Sequence, residues 1–319
     1  MKYIIVYLFI TLSIYAKAQK DTTHLENYIR LNYENDFFTA TDRYYTQGIQ
    51  LSIIHPIFKY SPISKTLIKL KNSSSNYYGI TIEQDCFTPR SIRHNGIFYD
   101  ERPFTGVFFL SHQLTSQNFE KQIALKTQLD IGGIGKCARC EDEQKAIHRA
   151  LINIQPLGWE NQLNNDVVVN YKAGIEKGII NRKHVQSFVQ SIVRMGTLYD
   201  DLSAGVNFRF GIFSNYFKNL GLEKTYINNP AKKFKAYIVL KSNLRTVGYN
   251  ATLQGGVFRH DNIYTLKSNQ ITRLVYDAGG YAVLAFKHFS VEYGYFYTTK
   301  EFEAGLEHGW GKVTFISNF

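Results

Sequence analysis

A period of two runs through this chain almost end to end, and it restricts the available folds to those built from strands. Val206, Phe208, Phe210 and Ile212 alternate with Gly205, Asn207, Arg209 and Gly211. Phe289, Val291, Tyr293, Tyr295 and Tyr297 alternate with Ser290, Glu292 and Gly294, and the same pattern recurs at 123–130 and 167–175. Successive side chains of a strand leave opposite faces of a sheet, so each segment carries one apolar and one polar face. Past position 18 the chain has no apolar run long enough for a membrane-spanning helix.

Alternation alone suits a soluble sandwich as well as a membrane barrel. Three features select the barrel. The chain holds 23 Tyr and 23 Phe against two Trp, an aromatic load that suits the interfacial girdles of outer-membrane barrels. Many segments alternate over ten or more residues, near the span of a tilted transmembrane strand rather than the usual five or six of soluble sheets. The segment Lys312–Phe319 alternates up to a final Phe, similar to the assembly signal of bacterial outer-membrane proteins. The expected fold is all-β: a transmembrane antiparallel barrel of about twelve strands. They fall near 25–34, 45–55, 76–86, 103–114, 121–131, 165–177, 184–196, 203–214, 233–246, 270–285, 287–298 and 308–319. An even strand number puts both termini on the periplasmic side. The outward connections then include 35–44, 87–102 and 132–164.

Residues 1–18 read as a secretory signal, with Lys2, an apolar run from Tyr3 to Tyr15, and Ala16-Lys17-Ala18 as the cleavage site. Residues 19–319 then form one domain. The formal charge of +11 suits an anionic partner, and export argues for a phosphorylated lipid or membrane face over nucleic acid. Cys86, Cys137 and Cys140 are too few for a disulfide framework, and no second pair completes a zinc site with Cys137-Ala-Arg-Cys140. A local disulfide or free thiols are expected.

One connection departs from the β pattern. Glu141–Asn153 has helix-forming composition, with Ala146, Ile147, Ala150 and Leu151 on one side, acids in the first turn, and Pro156 and Gly158 following as stops. Gln144 and His148 lie four residues apart and so share a face of this extracellular-loop helix. Across the rim, strand parity extended through Arg30, Asn32 and Glu34 puts Asp36 on the polar side. In the second strand Thr46 joins Gly48, Gln50 and Ser52 on the polar face, so Asp36 and Thr46 can converge, and a helix folded over the rim brings His148 to them. Simpler explanations exist for each piece: a loop His is usually solvated, and Asn35-Asp36 is common turn chemistry.

The order of the pieces carries a resemblance. Tyr33-Glu34-Asn35-Asp36, Thr41-Asp42-Arg43-Tyr44-Tyr45-Thr46-Gln47-Gly48 and Gln84-Asp85-x-Phe87-Thr88-Pro89 resemble the lipid A 3′-O-deacylase (LpxR) family. So do Asp130-Ile131-Gly132-x-Ile134-Gly135, Gln144-x3-His148 and Gly158-Trp159-x2-Gln162-Leu163. The resemblance implies a twelve-stranded bacterial outer-membrane barrel that uses calcium to remove the 3′-linked acyloxyacyl chain of lipid A, the membrane anchor of lipopolysaccharide; a monomer is expected. It maps Asn35 and Asp36 onto the family's Asn-Asp pair, Thr46 onto its Thr, and Gln144 and His148 onto its helix pair. His148 would be the general base toward water. Asp36 with loop carbonyls would hold calcium as the oxyanion's Lewis acid, and Asn35, Thr46 and Gln144 would orient the reacting groups. The second loop supplies cations for substrate phosphates, Arg90 and Arg93 with Arg102 nearby, though its sequence departs from the family's basic pair. Lys136–Arg139 departs as well.

No G-x-S-x-G elbow is present for a serine nucleophile. The competing readings are a non-catalytic porin or adhesin on the same fold, and an outer-membrane phospholipase.

Overall fold

The computed structural model describes residues 27–39, 43–218, 220 and 234–319. The proposed leader, together with Ala40, Thr41 and Asp42 of the first loop, lies outside them. Twelve strands close a single barrel, each antiparallel to its neighbours, with β1 (Tyr28–Asn35) sealed against β12 (His308–Asn318). Between them run β2 (Tyr44–Ile54), β3 (Ser75–Thr88), β4 (Thr105–Asn118), β5 (Ile123–Ile134), β6 (Asp166–Asn181) and β7 (Val185–Gly196). The circuit continues through β8 (Tyr199–Ile212), β9 (Phe234–Asn250), β10 (Leu274–Phe286) and β11 (Phe289–Thr298). Closure satisfies every edge, which is what permits strands to stand in hydrocarbon. Among the described residues no helix is long and apolar enough to cross a membrane.

The strand number matches the sequence pattern, and the ends shift where connections are tight. β8 starts at Tyr199, earlier than its alternation begins, because only Thr197 and Leu198 separate it from β7. β9 runs to Asn250 because Val247, Tyr249 and Asn250 continue the ladder with Asp201, Asp200 and Tyr199 of β8.

Outward-facing side chains form an apolar band. Ile82, Leu110, Ile131 and Val169 lie in one row across β3 to β6 and are 43–47% exposed. Inward-facing positions are polar and cross-linked: Gln50 donates to Glu83 at 2.7 Å, Lys126 pairs with Glu176 at 2.7 Å, and Arg245 pairs with Asp277 at 3.1 Å. Near the end that carries the long outward loops, the lumen keeps a cavity of about 430 Å³, lined by Tyr45, Asp85, Arg102, Arg245, Glu301 and Trp310 among others. At the other end Tyr216 and Phe217 fold inward, with Gln117 Nε2 donating to the Tyr216 carbonyl at 3.0 Å.

Candidate active site

The loop between β5 and β6 folds back against the outside of the barrel wall. Its helix α1 (Cys140–Ala150) follows a short 3-10 turn at Lys136–Ala138, with Arg139 in the left-handed region at φ 64°. Glu141 and Lys145 pair at 2.6 Å one turn apart, and Arg139 reaches Asp142 at 2.6 Å. These exposed pairs support the helix only weakly, by tenths of a kcal/mol. Tertiary contacts fix it instead. Cys140 is disulfide-bonded to Cys86 of β3, 54 residues away, and Cys137 is a free thiol. This corrects the expectation of a local disulfide or free thiols: closing the barrel brings β3 under the loop, which spacing along the chain cannot reveal. Around the bond a small apolar core gathers Ile92, Phe104, Ala138 and Trp159, outside the lumen. Gly106 on β4 permits the approach, since a Cβ there would meet the Ala138 Cβ at 2.8 Å and Cys140 Sγ at 2.9 Å.

One face of α1 is buried, at Cys140, Gln144 and His148. Spacing of four puts these three on the side that the disulfide fixes to the wall. At the edge of this face Ile147 and Leu151 are still 39% and 71% exposed, and the Ile152 that follows is 95% exposed with φ 54°. Exposed apolar side chains beside the lipid-facing band suit the membrane interface.

The buried polar groups on α1 have defined partners. His148 Nδ1 lies 2.6 Å from the Ile154 carbonyl. A carbonyl only accepts, so Nδ1 carries the hydrogen and Nε2 bears a lone pair. Gln144 Oε1 accepts from the indole N–H of fully buried Trp159 at 2.7 Å. Its amide nitrogen is buried without a hydrogen-bond partner, which leaves a donor available to a ligand.

On the wall, a β-bulge in β2 between Tyr45 and Gln47 alters the expected parity. Tyr45 points into the lumen, where its hydroxyl donates to Asp85 at 2.8 Å. Gln47 points out and donates to Glu143 of α1 at 3.1 Å. Thr46, the extra residue, shares a 2.7 Å hydrogen bond with Thr88, which follows inward-facing Phe87 and therefore leaves the wall outward. Thr46 thus stands outside the barrel under α1, not on the luminal face with Gly48, Gln50 and Ser52. A bulge places two consecutive side chains on one side of a strand, and nothing in the local sequence marks it.

Asn35 and Asp36 cap β1. Asn35 is on the outer side, its amide donating to the Tyr33 hydroxyl at 3.0 Å and its Oδ1 accepting from Phe37 N–H at 2.7 Å. Parity ends there, because Asp36 opens a 3-10 turn. Its carboxylate, 2% exposed, accepts the backbone N–H of Arg43 at 2.7 Å and so ties the head of β1 to the chain three residues before Thr46. The two residues therefore do turn work whatever else they do. The structure gathers Thr46, Gln144 and His148 between wall and helix, with Asn35 and Asp36 at the adjoining strand end.

Arg90 and Arg93 flank buried Ile92 at the foot of α1, both exposed, with Arg90 3.6 Å from Glu101. Arg102 does not join them. It is 1% exposed, pairs with Glu301 at 3.5 Å, and packs 4.5 Å over the Phe87 ring.

Glu143, Gln47, Thr88 and Cys86 were absent from the sequence-based site. Gln47 and Thr88 sit inside the quoted motifs, whereas Glu143 drew notice only as a first-turn acid. Burial pushes its carboxyl above the usual carboxylate range, against hydrogen bonds from Gln84 and Gln47 that pull it down. A raised folded value means the protonated form fits the docked helix better. The contribution is complete below the ordinary Glu value of about 4.3 and is lost as pH rises through the raised one. Glu143→Gln keeps an acceptor for Gln47 without the charge. In thermal unfolding followed against pH, the native protein should lose stability relative to this variant as pH climbs from about 4 toward neutrality. Parallel curves would contradict the assignment.

Among the described residues no group of three or more His, Cys, Asp or Glu side chains is placed to hold a metal ion. The available donors are oxygens: the Asp36 carboxylate with the hydroxyls of Thr46 and Thr88, the Glu143 carboxyl being engaged by Gln47. That chemistry fits a hard cation such as calcium and not zinc. Asp36 would be its one charged ligand, with carbonyls and water completing a shell of about six to eight oxygens.

The model of a family described as outer membrane protein LpxR matches residues 4–319. No curated protein matches the sequence. Among solved structures, LpxR from Salmonella typhimurium superposes with a TM-score of 0.70 at 18% identity, over 92% of this chain and all of that one. The β domain of the Bordetella autotransporter BrkA gives a TM-score of 0.45 at 9% identity, over 92% of this chain and 100% of that one.

Proposed function

The chain belongs to the family of the outer membrane protein LpxR, and on that premise we propose that it hydrolyses the 3′-linked acyloxyacyl ester of lipid A in the outer leaflet. The observation that carries this reading is the contact of His148 Nδ1 with the Ile154 carbonyl: with the hydrogen on Nδ1, the neutral ring offers Nε2 as a base on the buried side of α1. A site outside the barrel wall, under a helix that leaves Ile147 and Leu151 exposed at its edge, opens toward lipid and not toward the lumen. That location supports a lipid ester as substrate.

The steps follow from these groups. Nε2 of His148 removes a proton from water as the water oxygen attacks the ester carbonyl carbon. Negative charge develops on the carbonyl oxygen, and the Gln144 amide N–H supplies a donor to it. In the Thr46–Thr88 pair one hydroxyl hydrogen is spent between the two oxygens, so the other hydroxyl retains a hydrogen to donate toward water or ester. Collapse of the tetrahedral species expels the sugar 3′ oxygen, which takes the proton from the imidazolium. Free acid and a 3′-hydroxyl result. Bound at Asp36, calcium would supply Lewis-acid polarisation of the carbonyl. Arg90 and Arg93, both exposed, would supply charge-assisted donors to substrate phosphates.

Purified protein offered lipid A and, separately, phospholipid vesicles distinguishes this from its competitors. Acyl release from phospholipid alone would indicate a phospholipase, and release from neither would leave a non-catalytic barrel. The metal assignment has its own check. Calcium should raise the melting temperature of the native protein by binding only the folded state. Asp36→Asn keeps an acceptor for the Arg43 N–H but removes the charge, so the calcium-dependent shift should vanish. An unchanged shift would place the ion elsewhere.

A further inference from the structure

The 20 residues joining β2 to β3 take an unusual route for a connection at the terminal end of a barrel. Residues 55–74 (HPIFKYSPISKTLIKLKNSS) contain no Asp or Glu. They form two proline-initiated 3-10 turns, Pro56–Tyr60 and Pro62–Thr66, and lie along the outside of the wall. The strand register shows where. The exposed row Ile82–Leu110–Ile131–Val169 belongs to the lipid-facing band, and one pair further from α1 the same faces carry Ile80, His112, Leu129 and Tyr171. Exposure stops there: His112 is 5% exposed, and Leu114 and Thr127 in the next row are 1%.

The connection is what covers them. His112 Nε2 lies 3.1 Å from the Phe58 carbonyl, Thr127 Oγ1 donates to the Ile68 carbonyl at 2.9 Å, and Tyr171 OH donates to the Thr66 carbonyl at 3.0 Å. Leu67 packs into a cluster with Tyr78 and Leu114. The segment therefore wraps β3 to β6 as a collar, from the lower edge of the apolar band.

The collar's outer surface is itself amphipathic. Ile57, Tyr60 and Ile68 are 61%, 82% and 58% exposed, and Lys59, Lys65, Lys69 and Lys71 are all exposed between them. This end bears the chain termini, which in an even-stranded outer-membrane barrel face the periplasm. We propose that residues 56–71 are an interfacial collar that binds anionic phospholipid of the periplasm-facing leaflet, the apolar side chains entering the acyl boundary and the four lysines meeting headgroup phosphates. Continuity with the lipid-facing band and cationic charge without a single acid favour this occupant. Basic side chains beside an anionic membrane surface each add to the attraction.

The test uses the full barrel in nanodiscs holding equal phosphatidylglycerol and phosphatidylcholine, released and weighed by native mass spectrometry. The native protein should retain phosphatidylglycerol over phosphatidylcholine by on the order of tenfold. The fourfold variant Lys59→Gln, Lys65→Gln, Lys69→Gln, Lys71→Gln should retain the two equally, with the barrel still resisting unfolding in detergent. Equal retention by the native protein, or an unchanged preference in the variant, overturns the proposal. A second variant reads position: Tyr60→Trp fluorescence should be quenched by brominated phosphatidylcholine. Emission left unquenched would put the collar in water and overturn it too, as would a doubled mass that the lysine substitutions abolish, because the face would then join two copies of the chain.

Discussion

His148→Ala should reduce deacylation by roughly a hundred- to ten-thousandfold, the range that a positioned general base contributes, while the barrel folds as before. The asymmetry follows from where the residue sits. His148 is on α1, outside the wall, and its described hydrogen bond is to Ile154 in its own loop. Losing it costs a typical net hydrogen bond of about 1 kcal/mol, against a closed twelve-strand ladder that does not involve the residue. His148→Asn sharpens the test, because its amide N–H can take the place of Nδ1–H toward the Ile154 carbonyl and yet offers no base at the position of Nε2. Both variants should be equally inactive. Recovery of activity in the Asn variant, with intact heat-resistant migration of both on gels, would mean that His148 only holds the loop.

The second large effect concerns the Cys86–Cys140 bond. A cross-link separated by 54 residues constrains an unfolded chain by about 4 kcal/mol in a simple chain-entropy estimate. The barrel already ties β3 through β4 to β5, so the constraint that matters falls on α1. Cys86→Ala with Cys140→Ala leaves the strand ladders intact and frees the helix to shift. A displacement of about 1 Å in a positioned group can cost a hundredfold in rate, and a loss of that order is expected. The double variant avoids a new pairing between Cys137 and Cys140. Trypsin should cleave faster at half-buried Lys145 and exposed Arg149 of α1, while the melting transition of the barrel stays in place. Full activity with unchanged cleavage would show that the packing of Ile92, Phe104, Ala138 and Trp159 holds the helix unaided.

Much of the fold was legible because a period of two is enforced on every strand by lipid on one side and a polar lumen on the other. Strand number, closure and the end bearing α1 all follow from it. The site was legible less completely, since it lies where that periodicity fails. Parity placed Thr46 with Gly48 and Gln50 in the lumen, but the bulge at Tyr45/Gln47 turns it outward. Extending β1 to Asp36 ignored the 3-10 turn in which the carboxylate accepts from Arg43. The helix was evident from composition, yet the residues that dock could not be read from its apolar side chains, because Ile147 and Leu151 stay exposed at the edge of the face on which Cys140, Gln144 and His148 are buried. An apolar stripe normally marks the face against the protein, whereas here the disulfide and the polar contacts of Gln144 and His148 mark it. Cys86 was unassigned because its partner is set by barrel closure alone.

The most direct test is the mass of lipid A extracted from Gram-negative cells that lack such an activity and express either the native chain or His148→Ala to equal levels in the outer membrane. The native chain should produce one lighter species missing the whole 3′-linked acyloxyacyl group, and the variant should leave lipid A at its starting mass. Unchanged lipid A with the native chain, or the same lighter species with the variant, would contradict the account.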